Sequence, residues 1–436
     1  MTKIYFITQG CSLNKSDSET MKGLLEKASF EFTDYLEEAD LVIFNTCTVK
    51  GPTESYFKKM LAKFEELNKP VIIAGCIAQT NPDLGKKYSL IGVDQIDNIV
   101  EVVEETLNGN IVTLIVKDKK IRLNIAKHRY NPVIEIIPIS QGCLGDPCSY
   151  CKVKEARGEL YSYPREYIIR QARKAVNDGV KEIWLTAQDT GCYGYDFANN
   201  NLDGLSGSTR YLLPDLVKDI AKLPGDFMIR VGMANPNHVK DFIDDFIAVL
   251  KHEKVFKFLH IPVQAGNDDI LRKMKRKYTA QDFVDIVEKV RHEIPETGIS
   301  TDIICGFPSE TDDQFKDSVK LIEKIQPDWL HVSKFWARPG TEAASLPDQV
   351  SGDLIKKRVS IINSTFEYIS FARNKKWVNW TGEVIIEKKG NDDSYIARNY
   401  AYRPVIVRGN FKLGEKVKVK VIGNTINYLV AEPIMN

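Results

Sequence analysis

The feature that most restricts the fold of this chain is a sixfold alternation of short apolar runs and long amphipathic stretches between residues 133 and 337. The runs are VIEIIPIS, EIWLTAQ, FMIRVG, KFLHIPV, GISTDIICGF and WLHVSKFWA, separated by stretches such as PREYIIRQARKAVNDG and TAQDFVDIVEKVRHEI. This pattern predicts buried parallel strands connected by helices. Six β/α units are too few to close an eight-stranded barrel. The sequence therefore predicts a partly open (β/α)6 barrel over residues 130–370, with its chemistry at the carboxyl ends of the strands.

The N-terminal part of the chain carries a shorter version of the same alternation. KIYFITQG, LVIFNT and VIIAG have the composition of buried parallel strands, and SETMKGLLEKA and TESYFKKMLAKFEEL have helical spacing. This order predicts a doubly wound, parallel α/β domain over residues 1–125. The basic segment KDKKIRLNIAKHRYNP follows it as a predicted linker.

The C-terminal residues 373–436 have a different character. GEVIIEKKG, YIARNY, RPVIVRG and EKVKVKVIG are short alternating runs broken by glycine and asparagine, which is typical of a small β-barrel. The segment holds 12 Lys and Arg against 6 Asp and Glu, whereas the whole chain has a net charge of only +1. A compact basic barrel suggests binding to a phosphate backbone. A solvated, lysine-rich surface on an ordinary domain is the alternative.

Composition and the N-terminus point to the cytoplasm. Hydrophobic residues make up 43% of the chain and charged residues 27%, which is ordinary for a globular protein. The start, MTKIYFITQG, leads directly into a strand pattern without the features of a signal peptide, and no apolar run has the length of a membrane span. Eight cysteines in 436 residues are too sparse for a disulfide scaffold. We therefore expect reduced thiols that serve as metal ligands or catalytic groups.

The loop QGCLGDPCSYCKVKEARG places Cys143, Cys148 and Cys151 within nine residues, just after the first predicted barrel strand. Four-iron clusters are typically held by four thiolates, so a loop with three leaves one iron free to bind another molecule. Zinc completed by a fourth ligand or water, and incidental thiols, are the alternatives. The spacing favours an open iron–sulfur cluster.

Three further cysteines occupy equivalent places in the N-terminal domain. Cys11, Cys47 and Cys76 each follow a predicted parallel strand. Because the carboxyl ends of such strands form one crevice, we expect these thiols to converge on one site. Each could instead be a small buried hydrophobic residue, as free cysteine often is. The repeated position favours a second open cluster.

Several segments together resemble the radical S-adenosylmethionine methylthiotransferases. They are QGCSLNKSDSE, NTCTVKGPTES, AGCIAQ, CSYC followed by ARG, IWLTAQDTGCYGYD, HIPVQAGNDDILRKMKRKYT, TDIICGFPSET and ARPGTEAA. The resemblance runs from Lys3 through the C-terminal domain, which is similar to a TRAM module. GCSLNKSDSE, NTCTVKGPTES and LTAQDTGCYG are most similar to the archaeal and eukaryotic branch that acts on N6-threonylcarbamoyladenosine in tRNA.

This resemblance implies the cofactors and their ligands. Cys143, Cys148 and Cys151 would bind a 4Fe–4S cluster whose free iron chelates S-adenosylmethionine, and Cys11, Cys47 and Cys76 would bind a second 4Fe–4S cluster that handles sulfur. The implied cofactor contacts are Tyr150, Gln188 and Asp189, with Arg230 and Gln264 as further candidates at the barrel mouth. No catalytic side chain beyond the cluster ligands is implied.

The implied activity is methylthiolation of N6-threonylcarbamoyladenosine at tRNA position 37, beside the anticodon. The basic C-terminal domain would bind the anticodon arm, and a ferredoxin or flavodoxin would supply electrons to a monomeric enzyme. Alternatives within the family are an isopentenyl-adenosine tRNA or a ribosomal-protein aspartate as the substrate. Outside it, the alternative is an iron–sulfur RNA-binding protein without turnover.

Two features depart from the family pattern. Four residues, Leu144 to Pro147, separate the first two loop cysteines where three are usual, so the position of Cys143 depends on the loop conformation. Cys192 stands where related sequences usually carry a small residue, and we expect a small packed thiol there. Cys305, inside an apolar run, is expected in the core, and His260 is expected to be a hydrogen-bonded structural residue.

Overall fold

The computed structural model describes residues 2–47, 51–197 and 211–434, with the backbone alone at 51–54. The Thr48–Lys50 part of NTCTVKGPTES lies outside these ranges. The strands are β1 (Lys3–Thr8), β2 (Glu31–Thr33), β3 (Leu41–Thr46), β4 (Val71–Gly75), β5 (Ser89–Ile91), β6 (Thr113–Leu114), β7 (Ile134–Pro138), β8 (Ser140–Gln141), β9 (Tyr161–Ser162), β10 (Glu182–Thr186), β11 (Met228–Val231), β12 (Phe258–His260), β13 (Gly298–Cys305), β14 (Trp329–Lys334), β15 (Thr381–Lys389), β16 (Ser394–Arg398), β17 (Pro404–Arg408), β18 (Lys416–Asn424) and β19 (Leu429–Pro433).

The α-helices lie between these strands and at the domain junctions. They are α1 (Ser12–Lys27), α2 (Gly51–Glu66), α3 (Cys76–Thr80), α4 (Ile99–Leu107), α5 (Val153–Arg157), α6 (Arg165–Asn177), α7 (Leu213–Ala221), α8 (Pro236–Val239), α9 (Ile243–Leu250), α10 (Asp268–Lys273), α11 (Ala280–Glu293), α12 (Asp312–Ile325), α13 (Glu342–Ser345) and α14 (Gly352–Lys375). In the part of the chain just defined, no helix combines the length and the apolar character that crossing a membrane requires.

The N-terminal domain is built on one parallel sheet of six strands, in the order β2-β1-β3-β4-β5-β6. β3 and β4 are buried at every position, because helices cover both faces of the sheet. Met21 of α1 and Val102 of α4 pack on one face, and Phe57 and Phe64 of α2 pack on the other. This confirms the predicted doubly wound fold. The strands β2, β5 and β6 are too short, at two or three residues, for their sequences to show a periodicity.

The central domain contains the six predicted strands, all paired in parallel. They form two three-stranded sheets, β11-β10-β7 and β12-β13-β14. Backbone hydrogen bonds of 3.0 Å from Phe256 to Ile229 and from Ala234 to His260 join the two halves. Within the described ranges β14 and β7 are not paired with each other. The prediction of a partly open six-stranded barrel is therefore confirmed.

The C-terminal domain is a closed barrel of five strands in the order β15-β16-β17-β19-β18. This confirms the predicted small β-barrel. It adds one strand, β19, that the sequence pattern did not indicate. β18 alternates exposed and buried residues along most of its length, so its lysines face outwards while its valines fill the interior.

The C-terminal barrel closes the end of the central barrel at which the parallel strands begin. The N–H of Lys257, just before β12, donates to the carbonyl of Tyr400 at 2.8 Å. The ring of Tyr402 packs against Phe256 and Phe258 with both centroid distances at 5.0 Å. The carboxyl ends of the strands, where the predicted sites lie, are at the opposite end.

A buried carboxylate fixes this junction. Asp328, just before β14, forms ion pairs with Arg373 at the end of α14 and with Arg403 in the C-terminal barrel, and Arg291 lies 3.4 Å from it. Although burial opposes ionisation, the charges of Arg403 and Arg373 hold the pKa of Asp328 below its usual value. The two barrels are therefore joined through a network of buried charges.

Candidate metal centres

The loop with three clustered cysteines lies between β8 and α5, beyond the first barrel strand. Its two ends are held together by the antiparallel pairing of β8 with β9 and by a 3.1 Å hydrogen bond from the N–H of Leu160 to the carbonyl of Cys143. Gly142 has a φ of +79°, and a Cβ there would lie 2.2 Å from the carbonyl oxygen of Glu159. Only glycine permits so close an approach, and this approach positions Cys143.

The extra residue of the loop is accommodated by an outward turn. Leu144 through Pro147 are all exposed, and Gly145 has a φ of +69°. Cys143 and Cys148, on either side of this turn, remain half-buried. The added length therefore enlarges the exposed part of the loop and leaves the cysteines at its base.

The second half of the loop is docked on the segment after α10. Ser149 donates from its Oγ to the carbonyl of Lys273 at 2.7 Å and from its N–H to the carbonyl of Met274 at 3.2 Å. Arg276 donates from Nη1 to the Sγ of Cys148 at 3.3 Å. This arginine gives the sulfur a cationic hydrogen-bond donor.

The three N-terminal cysteines converge as expected. Cys11 precedes α1, Cys47 follows β3, and Cys76 begins α3 directly after β4. The Oδ1 of Asn14 lies 4.0 Å from the Sγ of Cys11 and 3.8 Å from the Sγ of Cys76. Cys47 and Cys76 are buried, whereas Cys11 is exposed at the edge.

The electrostatic environment differs between the two groups of thiols. A hydrogen bond from Cys47 and the nearby charge of Arg157 lower the pKa of Cys76 to about 6, although burial opposes this shift. Burial raises the pKa of Cys143 and of Cys151. These two thiols would release protons on binding a metal, because the thiolate is the ligand.

The spacing of the sulfur atoms favours a cluster over a single ion. In residues 2–47, 51–197 and 211–434, no three cysteine sulfurs lie within 4.8 Å of one another. Tetrahedral zinc with bonds of about 2.3 Å places its sulfur ligands about 3.8 Å apart. Neither cysteine group is therefore arranged as a preformed zinc site, and three thiols are the donor set of a four-iron cluster that keeps one iron open.

Arg157 connects the two groups. It ends α5, which begins two residues after Cys151, and α3 packs on α5 through contact of Cys76 with Ala156. Its Nη2 donates to Asn14 at 2.8 Å and to Asp17 at 2.6 Å. The structure shows that it binds the N-terminal domain beside the second group of thiols.

Two predicted cofactor contacts are engaged by the protein itself. Gln188 accepts a hydrogen bond from the N–H of Gly142 at 2.7 Å and so supports the cysteine loop. The Oδ1 of Asp189 accepts from the N–H groups of Gly191 and Asn235, and its Oδ2 lies 2.9 Å from the Nδ1 of His238. Their contact with a cofactor stays a prediction.

The other three candidates lie in different places. Tyr150 packs on the main core beside the cysteines, and its carbonyl accepts from Arg338 at 3.1 Å. Gln264 has a φ of +71° just after β12, at the carboxyl end of the barrel. The guanidinium of Arg230 lies 5.1 Å from the ring centre of Tyr402, which belongs to the C-terminal barrel. Arg230 therefore contacts the end of the barrel opposite the mouth.

Three further sequence predictions are confirmed. Cys192 is fully buried, and its Sγ donates to the carbonyl of Asp189 at 3.1 Å. Cys305 is also fully buried. The Nε2 of His260 is 2.7 Å from the Oδ2 of Asp302.

Sequence reasoning missed Arg276 and Asn14. Arg276 lies in LRKMKRKYT, a segment whose composition is typical of a basic surface. Nothing in this local pattern distinguishes Arg276, whose side chain is directed inwards, from the other basic residues of the segment. Asn14 lies three residues after Cys11, one helical turn along α1. Its spacing from the cysteine was the available signal.

Three family models match successive parts of the chain. They are the uncharacterized protein family UPF0004 at residues 3–92, the radical SAM superfamily at 137–322 and the TRAM domain at 375–434. Among solved structures, the chain is similar to the radical S-adenosylmethionine methyltransferase TsrM from Kitasatospora setae, with a TM-score of 0.53 and 12% identity over 76% of this chain and 73% of that one. At this identity the similarity indicates the fold alone.

Curated relatives match over almost the whole length. A Xenopus laevis protein named "Threonylcarbamoyladenosine tRNA methylthiotransferase" is 39% identical over 100% of this chain and 77% of its own. A Homo sapiens protein of the same name is 38% identical over 99% and 74%. A Pyrococcus horikoshii protein named "Probable threonylcarbamoyladenosine tRNA methylthiotransferase" is 39% identical over 100% of both chains. The chain therefore belongs to the radical SAM methylthiotransferase family, in the branch whose members are named for threonylcarbamoyladenosine in tRNA.

Proposed function

We propose that the protein converts N6-threonylcarbamoyladenosine at position 37 of tRNA to its 2-methylthio derivative by radical S-adenosylmethionine chemistry. The observation that carries this proposal is the pair of neighbouring three-cysteine sites, which α3 and α5 hold against each other. The names of the full-length relatives support the choice of substrate.

The cysteines suit two 4Fe–4S clusters. Cys143, Cys148 and Cys151 would hold the first, with an iron left open for S-adenosylmethionine, and the N-terminal group of Cys11, Cys47 and Cys76 would hold the second. When bound, these groups supply the radical and the sulfur that an inert adenine carbon requires, which acid–base chemistry at neutral pH does not provide.

Buried polar side chains lie between the two cysteine sites. Asn14, Asp17 and Arg157 are each at least nine-tenths buried, and Arg157 donates hydrogen bonds to both of the others. Arg276 donates to Cys148 from the opposite side of the loop. In a site of low dielectric constant these donors act strongly on the charge of a thiolate. The protein thus orients the ligands through buried donors.

The C-terminal barrel would bind the anticodon arm. Lys418 and Lys420 of β18 are exposed, and neither has a carboxylate within 4.0 Å in the described ranges. The barrel lies at the end of the central domain opposite the cysteines. The eight residues of β13 span about 26 Å, so an RNA stem that contacts both ends would lie along the central barrel.

We also propose the cytoplasm as the compartment, a ferredoxin or flavodoxin as the electron donor, and a monomer as the working form. The exposed loop from Leu144 to Pro147 lies next to two of the cysteines of the first site. It gives a small electron carrier access to that site.

The test of the proposed function uses anaerobically reconstituted protein with S-adenosylmethionine, a reductant and sulfide. One substrate is tRNA carrying N6-threonylcarbamoyladenosine, and the other is tRNA carrying isopentenyl-adenosine. Mass spectrometry of the digested nucleosides should detect the methylthio product only from the first tRNA and not with the Cys148→Ala variant. Product from the isopentenyl tRNA alone, or no product from protein with full iron content, would contradict the proposal.

A further inference from the structure

A cavity of about 280 Å³ lies where the linker meets the cysteine loop, and positive side chains dominate its wall. The cationic residues that line it are Lys117, Lys119, Lys120, Lys154 and Arg157, against two carboxylates, Asp94 and Glu159. Three of the lysines come from the segment KDKKIRLNIAKHRYNP, whose sequence predicts only a linker. We call this cavity the vestibule.

The two carboxylates that line the vestibule already have polar or positively charged partners within the protein. Asp94 accepts a hydrogen bond from Gln141 at 2.5 Å and lies 3.7 Å from Arg122. Glu159 forms an ion pair with Lys154 at 2.8 Å.

The positive charge is not balanced in the same way. Lys120 has Asp118 as a partner at 3.0 Å, but Lys117 and Lys119 have no carboxylate within 4.0 Å among the residues described here. Both of these lysines are exposed. The rim of the vestibule therefore carries positive charge that attracts an anion from solution.

One residue of the vestibule wall, Arg157, is connected to the N-terminal cysteines through Asn14. Arg157 lines the cavity and is 3% exposed, and its buried Nε and Nη1 have no oxygen or nitrogen partner in the described ranges, while its guanidinium also acts on the thiol of Cys76. Its third nitrogen, Nη2, bonds to Asn14, whose Oδ1 lies within 4.0 Å of the sulfurs of Cys11 and Cys76. Buried donors without a partner are costly, so an anionic ligand that accepts from Arg157 would remove that cost.

The volume selects a small ligand. At about 30 Å³ for each water molecule, a cavity of about 280 Å³ holds an anion of a few heavy atoms with some of its water.

We propose that the vestibule binds a small inorganic sulfur anion, of the hydrosulfide, hydropolysulfide or thiosulfate class, and presents it to the site formed by Cys11, Cys47 and Cys76. The proposal rests on the proposed function, in which sulfur must reach that site. It concerns binding alone and requires no redox step.

The test measures thiosulfate binding to the reconstituted holoenzyme by anaerobic titration calorimetry. The double variant Lys117→Glu/Lys119→Glu reverses two rim charges that make no ion pair, so the fold should be unaffected. A matched control, Lys357→Glu/Lys376→Glu, reverses two exposed lysines on and just after α14 that also lack an ion-pair partner in the described part of the chain. We expect the Kd for thiosulfate to rise about tenfold or more in the rim variant, since four units of charge change near the anion. In the control it should stay within about twofold.

The same proteins are assayed for turnover with hydrosulfide and for tRNA binding. The rim variant should need more hydrosulfide for half-maximal rate, with kcat unchanged at saturation, and its Kd for tRNA should match that of the control. Equal thiosulfate binding by all three proteins, or no measurable binding by the wild type at millimolar thiosulfate, overturns the proposal. Loss of tRNA binding with unchanged thiosulfate binding also overturns it, because the vestibule would then hold an RNA phosphate. A wild type that binds thiosulfate but forms no methylthio product contradicts the proposed function and leaves the binding site in place.

Discussion

Arg157, from the cysteine loop of the central barrel, forms a buried ion pair with Asp17 of the N-terminal domain at 2.6 Å. The side chains of the two residues are 1% and 9% exposed. This pair joins the two cysteine sites across the domain boundary. Its loss should therefore affect both stability and the N-terminal site.

Asp17→Asn leaves the buried guanidinium without a charged partner. We expect the free energy of unfolding to fall by about 3 kcal/mol or more, because breaking one side of a buried pair costs about 3–5 kcal/mol. Chemical denaturation measures the change. Asp313→Asn, at an exposed position of α12, is the control and should change stability by less than about 0.5 kcal/mol. If both substitutions changed the free energy of unfolding equally, the ion pair of Asp17 with Arg157 would make no specific contribution to stability.

The two groups of cysteines should lose iron independently. Cys47→Ala is expected to lower the iron content of reconstituted protein from about eight to about four atoms per chain, since each site would hold a four-iron cluster. Cys148→Ala should remove the other half, which iron analysis and electron paramagnetic resonance can distinguish. Cys305→Ala is the control, because its sulfur is in the core. Full iron content in Cys47→Ala would exclude a cluster at the N-terminal site.

Arg276 should set the reduction potential of the cluster in the barrel. Its guanidinium donates to the Sγ of Cys148, and a cation near a cluster favours the reduced, more negative state. Arg276→Gln is therefore expected to lower the midpoint potential of this cluster by tens of millivolts in a redox titration followed by electron paramagnetic resonance. Arg272→Gln, at an exposed position of α10, should leave the potential unchanged. A common shift in both variants would argue against a specific effect of Arg276.

The exposed lysines of β18 should contribute to tRNA binding through the phosphate backbone. Lys418→Glu/Lys420→Glu is expected to weaken binding and to reduce the slope of log K against log salt by about two, near one for each phosphate that a lysine no longer neutralises. Filter binding at several salt concentrations measures both quantities. The control Lys316→Glu/Lys320→Glu reverses two exposed lysines of α12. If the control lowers the slope as much, the C-terminal barrel has no special part in binding.

Stability should depend on pH through a carboxyl group between the two barrels. Burial and the charge of Glu387 raise the pKa of Glu182 to about 7, from a usual value of 4.5. The folded protein keeps this proton in a range where the unfolded chain has released it. The free energy of unfolding should therefore fall by about 3 kcal/mol as pH rises from about 4.5 to about 7.

Glu182→Gln removes this dependence. Urea denaturation at several pH values should give a flatter profile for the variant, which becomes the more stable protein above about pH 7. Glu383→Gln, at an exposed position of β15, should keep the wild-type profile. A slope unchanged by Glu182→Gln would place the titrating group elsewhere.

The sequence predicted the elements whose signal is local. The six barrel strands were recognised because each is a long apolar run between helices, and the N-terminal cysteines were placed together because each follows a parallel strand. Arg276 could not be recognised, since burial of one cation within LRKMKRKYT depends on the distant Cys148. Asp17 in α1, the partner of Arg157, could not be recognised either, because a contact between domains produces no periodic pattern in the sequence of either segment.

The position of Tyr402 between Phe256 and Phe258 has a consequence for engineering this family. A chain truncated after α14 would expose those two rings and deprive Asp328 of Arg403, so the catalytic half would aggregate or unfold instead of simply losing affinity for RNA. Chimeras that exchange RNA-recognition modules between methylthiotransferases must therefore also carry over the residues of the central barrel that contact the exchanged module, at the end where the parallel strands begin.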